Sequence, residues 1–188
     1  MSKLKIDTYI DGQLWTIEQL EAIEYQRDLH VLHEMKRLGA DIKDGGKSLT
    51  EGDINYLDPE KAHDISVATR LALGNDGIRK LFRDQLARSD SFWKEINKDW
   101  SPDDEHLTSE IKMHVAGVAF GDLMAAITNA TEDMMASANP EHYAYLKDGK
   151  GNHGVEVMGM YGSPVAFTAG YDEIVKGGYS AIEVEPGW

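Results

Sequence analysis

The stretch HYAYLKDGKGNHGVEVMGMYGSPVAFTAGY, residues 142–171, decides the fold class of this chain. Apolar residues before it recur at helical spacing, whereas within it they alternate with polar residues or glycine, a period of two that is typical of β-strands. Glycine-rich turn signals at 148–151 and 162–164 divide it. It therefore predicts a C-terminal antiparallel β-meander. The predicted strands cover residues 142–146, 155–160 and 165–171.

Helical signals dominate the chain before the meander. Thr16 and Gln19 form a capping-box pattern that opens a helix, and Gly39 is placed to end it. Pro59 suits the first turn of another helix, since its missing N–H has no intrahelical partner there. The helices are predicted over 17–38, 60–73 and 77–88, with a polar loop at 41–53, a break at 74–76 and a short fourth piece at 93–100.

Residues 107–138 form the most apolar part of the chain. Acidic residues at 103–105 suit a helix start, and Asn139-Pro140 suits a helix end. A helix that is apolar nearly all round belongs at the centre of a fold, so this stretch predicts a central helix. The resulting architecture is a single α+β domain. It divides into a mainly helical region at 1–100, the central helix at 104–138, the meander at 142–172 and an irregular tail at 173–188.

Charge and composition exclude several classes of function. The net charge is −14, and residues 101–188 carry 14 acidic against 4 basic residues. Nucleic acids and anionic membranes need a basic surface, so neither is an expected partner. No apolar run reaches the roughly 18–20 residues that span a bilayer, and no signal peptide is recognisable. The chain has no cysteine, which rules out thiol chemistry and fits a cytoplasmic location.

Glu110 and His114 are the first candidate pair. They are four residues apart, so both lie on one face of the predicted central helix, within its apolar stripe between Leu107 and Val118. Buried ionisable groups are costly unless they are paired. The pair therefore indicates either an acid–base or metal role or a satisfied structural hydrogen bond.

His153 and Glu156 are the second candidate pair, within the meander. On a regular strand they point to opposite faces, so a shared site needs a bend or a bulge, which Gly154 permits. The alternative is a structural hairpin in which Val157 and Phe167 pack inward on a shared face. The sequence leaves both interpretations open.

Glu24 and Asp28 project onto the apolar stripe of the first helix. Carboxylates on one helix and a Glu/His pair on another are the kind of ligand set that di-metal helix bundles use, although those sites have Glu-x-x-His rather than the Glu-x-x-x-His present here. A divalent metal is thus one candidate cofactor, and no other cofactor is indicated. His63, near a helix start among acids, is predicted to lie on the surface. No serine is marked as a nucleophile by its context.

These features favour a small cytoplasmic enzyme acting on a small, partly apolar or aromatic molecule. His/Glu acid–base or metal-assisted chemistry would make it a hydrolase, a lyase or an isomerase. Its pocket would lie between the central helix and the meander. The candidate catalytic residues are His114, Glu110, His153 and Glu156. The alternative is a non-catalytic subunit or homo-oligomeric assembly protein that uses the C-terminal hairpin as its interface.

Overall fold

The computed structural model describes residues 5–99, 101, 111–148, 151–157 and 162–170. Its helices and antiparallel sheets confirm the predicted α+β class. The helices are α1 (Ile17–Arg37), α2 (Glu51–Ile54), α3 (Pro59–Leu81), α4 (Arg83–Ile96), α5 (Phe120–Thr128) and α6 (Glu132–Ala138). The strands are β1 (Lys5–Ile10), β2 (Gln13–Trp15), β3 (Lys43–Asp44), β4 (Lys47–Ser48), β5 (Ile111–Ala116), β6 (His142–Asp148), β7 (Gly151–Val157) and β8 (Pro164–Gly170).

The first helix begins and ends where its capping signals predict. The Thr16 hydroxyl accepts from the Gln19 amide, and the Gln19 side chain accepts from the Thr16 amide, so the capping box is complete. Gly39 follows the helix with φ of 100°, a left-handed conformation in which glycine is strain-free. The predicted loop at 41–53 instead contains the β3–β4 hairpin and the start of α2.

The second helix is also close to its predicted position, whereas the third is divided. Pro59 occupies the first turn of α3, and the Asp58 side chain caps it. Gly74 interrupts the helix with φ of 60°, which is the break expected at 74–76. A second break, at Phe82, divides the helix predicted over 77–88. The helix α4 then continues to Ile96, within the fourth piece predicted at 93–100.

The predicted central helix at 104–138 is wrong. Within it, residues 111–116 form β5, which pairs with β1, and two short helices follow it. Gly117 has φ of 93°, and Thr131 caps α6. The stretch is not the most buried part of the molecule either, since Val118, Phe120 and Met134 are 41%, 50% and 48% exposed. Residues 102–110 lie outside the described residues.

The C-terminal meander is confirmed as an antiparallel sheet with strand order β6-β7-β8. A register shift between His142 and Ala144 leaves Tyr143 as an extra residue, and this bulge allows Tyr143 and Ala144 both to be buried. Of the turn predicted at 162–164, Pro164 is already the first residue of β8. The tail predicted at 173–188 lies outside the described residues.

The two faces of the meander differ from the prediction in one respect. Val157 pairs with Pro164, whereas Phe167 pairs with Gly154. Directly paired residues share a face and neighbours alternate, so Val157 and Phe167 lie on opposite faces. Val157 packs against the core, while the Phe167 ring lies over Gly154.

The hydrophobic core lies where α1, α3 and α4 meet the inner face of the meander. Its fully buried members include Val31, Leu32 and Met35 of α1, Ile78 of α3, Phe82, Tyr143 and Val155. The rings of Phe82 and Tyr143 pack with centroids 4.4 Å apart. Among the described residues, no helix combines the length and apolarity needed to cross a lipid bilayer.

Candidate functional site

His114 lies on a strand, and its predicted position on a buried helix face is wrong. It is exposed on β5, opposite Asp7 of β1, and its ring contacts that of Tyr9 edge-on at 5.6 Å between centroids. Its predicted partner Glu110 lies outside the described residues. Because β5 belongs to the β2-β1-β5 sheet, His114 is not in the same sheet as His153 and Glu156.

His153 and Glu156 lie on opposite faces of β7, without a bulge in that strand to bring them together. His153 stands opposite Leu146 and Thr168. Glu156 pairs instead with His142, at 3.4 Å between Oε2 and Nε2. His142 Nδ1 also lies 3.2 Å from the Met135 carbonyl oxygen. The structure therefore joins Glu156 to His142, and a catalytic role for His153 or Glu156 stays a prediction.

A different set of side chains forms a continuous polar chain across three helices. His63 Nδ1 of α3 lies 3.1 Å from Asp28 Oδ2 of α1, and His63 Nε2 lies 3.2 Å from Ser137 Oγ of α6. Side-chain exposure rises along this series of three residues. The Asp28 side chain is 1% exposed, the His63 side chain is 27% exposed, and Ser137 is exposed. A buried carboxylate thus leads through an imidazole to a hydroxyl at the surface.

The two hydrogen-bond partners of His63 determine which tautomer its imidazole must adopt. An ionised Asp28 only accepts, so the Nδ1 atom of His63 carries the proton, and Nε2 is free to accept from the Ser137 hydroxyl. The Glu24 carboxylate lies 3.8 Å from the same Nδ1 atom. Both carboxylates would stabilise a positive charge on the His63 ring.

Arg70 supplies the counter-charge beneath Asp28. It is 1% exposed, and desolvation lowers the pKa of Arg70 to about 10, while the nearby Asp28 and Tyr143 raise it. Its guanidinium donates to the carbonyl oxygens of Asn139 and His142 at 3.1 and 2.9 Å. Arg70 therefore holds the segment that follows Ser137 against α3.

A second brace ties the same segment to α1. Arg27 Nε donates to the Glu141 carboxylate at 2.7 Å, and Nη2 donates to Asn139 Oδ1 at 2.6 Å. Asn139 Oδ1 also accepts from the Glu141 amide at 3.0 Å. Glu141 is fully buried, so the Arg27 charge is what makes that burial tolerable. Ser137 is thus followed by a segment anchored to both α1 and α3.

Glu34 and Tyr143 form a third polar contact, deeper in the core. The Tyr143 hydroxyl donates to Glu34 Oε2 at 2.5 Å, and Gln85 Nε2 donates to Glu34 Oε1 at 2.8 Å. Desolvation raises the pKa of Tyr143 far above its ordinary value, and the neighbouring Glu34 charge raises it further. Because both side chains are buried, this pair is well suited to holding α1 on the meander and poorly suited to meeting a substrate.

Sequence reasoning found one member of the Ser-His-Asp chain and missed two. Asp28 stood out as a carboxylate on an apolar stripe, which a buried partner explains. His63 is predicted at the surface, and its side chain is partly exposed there, with Ser137 of α6 beside its ring. Nothing local marks Ser137, since its partner lies 74 residues away. Within the described part of the chain, no group of three or more His, Asp or Glu side chains is placed to hold a metal ion.

Comparison with models of protein families, with curated proteins and with solved structures gave no match to this chain. The chemistry of the site is therefore inferred from its geometry. A carboxylate, an imidazole and a hydroxyl joined in this order are the parts of a nucleophilic hydrolytic centre, in which the imidazole takes the hydroxyl proton and the carboxylate orients the ring.

Proposed function

We propose that this protein is a hydrolase that transfers the acyl group of a small, partly apolar ester to water through Ser137. The observation that carries the proposal is the pair of contacts of His63, 3.1 Å to Asp28 and 3.2 Å to Ser137. Both distances lie at hydrogen-bond range, the range that a nucleophile and its base must share. The absence of cysteine supports a cytoplasmic location for this activity.

The reaction has two halves. Ser137 Oγ attacks the carbonyl carbon while its proton passes to His63 Nε2, and the same Nε2–H then protonates the departing alcohol, leaving an acyl-serine. In the second half a water molecule loses a proton to Nε2 and attacks the acyl carbon, and Ser137 leaves with that proton. Asp28 stays ionised throughout and stabilises the imidazolium that forms in each half.

Asn139 is our candidate for stabilising the oxyanion. Its Oδ1 accepts from Arg27 and from the Glu141 amide, which fixes the orientation of the side-chain amide. Its Nδ2 group donates to none of the described residues and so keeps two donors for a substrate. A side-chain amide held in place by its other end is the type of donor that stabilises a developing negative charge.

Turnover of a series of p-nitrophenyl esters, from acetate to hexanoate, tests the proposal. We expect Ser137→Ala and His63→Ala each to lower kcat/KM by about a thousandfold or more. Asn139→Ala should lower kcat about a hundredfold with little change in KM, because an oxyanion donor acts in the transition state.

Two matched variants serve as controls. Ser91→Ala removes an exposed hydroxyl that donates only to the Ala87 carbonyl, and His33→Ala removes an imidazole that contacts Asn55. Both should retain full turnover. The proposal fails if Ser137→Ala, folded by circular dichroism, hydrolyses every ester as fast as the parent, or if no ester is hydrolysed above the rate with His63→Ala.

A further inference from the structure

A cleft of about 430 Å³ lies between α4 and the start of β8, and its lining residues differ from those proposed for hydrolysis. Arg88, Ser89, Phe92 and Trp93 of α4 line one side, and Ser163, which precedes β8, lines the other. This volume falls in the range of about 300–1,000 Å³ that small-molecule sites occupy.

The apolar wall of the cleft consists of two exposed aromatic side chains. Phe92 and Trp93 are 57% and 39% exposed, and their rings meet edge-on with centroids 5.5 Å apart. Earlier in the same helix, Leu86 is buried in the core. Phe92 and Trp93 therefore lie beyond the part of α4 that packs in the core, where their rings are exposed for stacking.

The polar groups of the cleft are positive or neutral donors. The Arg88 guanidinium makes no ion pair or hydrogen bond with the described residues, although the chain as a whole carries 33 acidic and 19 basic residues. Ser89 is 4% exposed, and its hydroxyl is buried without a hydrogen-bond partner among the described residues. An unpaired guanidinium and an unpartnered hydroxyl beside two aromatic rings suit an anion that carries a ring.

We propose that this cleft binds a small aromatic carboxylate. Arg88 would hold the carboxylate through two parallel N–H donors, and the aromatic ring would stack on Trp93. The Ser89 hydroxyl, buried beside the cleft, would turn toward one of the carboxylate oxygens to donate to it. The inference does not rest on the hydrolase activity, since none of these residues belongs to the Ser137 site. It adds a ligand site to the fold whether or not Ser137 is a nucleophile.

Isothermal titration with three probes tests the site: 2-naphthoate, its uncharged isostere 2-naphthamide, and cyclohexanecarboxylate, which keeps the charge and lacks the aromatic ring. We expect 2-naphthoate to bind with a dissociation constant in the submillimolar range and each of the other two at least about tenfold more weakly, the factor that 1.4 kcal/mol represents. Arg88→Gln should reduce naphthoate affinity to that of the amide, and Trp93→Ala should weaken both aromatic probes.

Arg83→Gln is the matched control, because Arg83 is a largely exposed cation of the same helix that pairs with Asp84. It should bind 2-naphthoate as the parent does. Sedimentation of the free protein tests the rival occupant, a second copy of this chain. The proposal is overturned if naphthoate produces no saturable heat, if Arg88→Gln binds it as well as Arg83→Gln does, or if Trp93 lies in a dimer interface that Trp93→Ala dissociates.

Discussion

Gly154 is a residue whose missing side chain is required by its neighbours. A Cβ atom there would lie 2.5 Å from Cε1 of Phe167 and 2.9 Å from the Ala144 carbonyl oxygen. The ring can move, but the carbonyl belongs to the backbone of β6. We therefore expect Gly154→Ala to lower the free energy of unfolding by about 1–3 kcal/mol, the usual cost of overpacking, as measured by urea denaturation.

Gly121→Ala is the control for that change. Gly121 is exposed on α5, and a Cβ atom there would meet nothing within 4 Å. Because alanine is the better helix former, Gly121→Ala should leave stability unchanged or raise it slightly. If the two variants had equal free energies of unfolding, Phe167 and the backbone of β6 could not lie as close to Gly154 as they do in the structure.

Tyr143 links a single hydroxyl to the pH dependence of stability. Tyr143→Phe leaves the buried Glu34 carboxylate without that donor, which should cost about 1–3 kcal/mol at neutral pH. The folded-state pKa of Tyr143 is raised above its unfolded value of 10.0. Its stabilising contribution is therefore complete below pH 10 and is lost as the pH rises further, because the unfolded chain then releases the phenol proton while the folded chain keeps it.

The lowered pKa of Arg70 acts in the opposite direction, and because Arg70 is present in both proteins, comparing the parent with Tyr143→Phe removes most of its contribution. We expect the stability advantage of the parent to shrink above pH 10 by about 1.4 kcal/mol per pH unit. Chemical denaturation at several pH values between neutral and strongly alkaline measures it. A constant advantage across that range would mean that Tyr143 ionises as easily in the folded chain as in the unfolded one.

At the scale of elements, Arg27 and Glu141 join α1 to the segment between α6 and β6. Arg27→Met removes the charge that neutralises a fully buried carboxylate. Breaking a buried ion pair from one side costs about 3–5 kcal/mol, because the remaining charge is left uncompensated. Thermal and urea unfolding should both show a loss of this order.

The double variant Arg27→Met with Glu141→Gln separates charge burial from packing. With both charges gone, we expect it to be more stable than Arg27→Met alone. The exposed pair of Arg83 and Asp84 is the comparison, since Arg83→Met should have no measurable effect. If Arg27→Met were as harmless as Arg83→Met, the Glu141 carboxylate would have to be solvated in the folded protein.

Elements with their own end signals were predictable, and those formed by distant pairing were not. Thr16, Gln19 and Gly39 mark α1 locally, and glycines mark the turns of the meander. The strand β5 has alternating apolar residues, Ile111, Met113 and Val115, but they sit within an apolar stretch that masks the alternation. Its partner β1 lies about a hundred residues earlier in the chain, so no local signal identifies the pairing.

At the scale of the whole molecule, the acidic charge predicts which polymers the protein avoids. A net charge of −14 should repel the phosphate backbone. We expect no retention of the protein on immobilised DNA or RNA at near-physiological ionic strength, measured by column chromatography. Retention that decreases as salt is added would contradict this expectation, because it would require a basic surface that neutralises phosphates.

The candidate site is assembled only by the complete fold. Asp28, His63 and Ser137 come from three helices, and the sequence identified just the carboxylate, through its conflict with an apolar stripe. The Ser137 contact depends on α6 packing against α3, which the predicted single helix at 104–138 does not allow. The predicted set of His114, Glu110, His153 and Glu156 followed spacing within elements, whereas the polar chain follows packing between them.

The most direct test of the hydrolase proposal is covalent labelling by a fluorophosphonate, which an activated serine attacks with loss of fluoride. The tryptic peptide 113–147 contains Ser137 as its only serine, so mass spectrometry of that peptide reports on this residue alone. We expect one adduct per chain, on this peptide, in the parent and in Ser91→Ala, and none in His63→Ala. An unlabelled peptide in the folded parent, or equal labelling of His63→Ala, would contradict it.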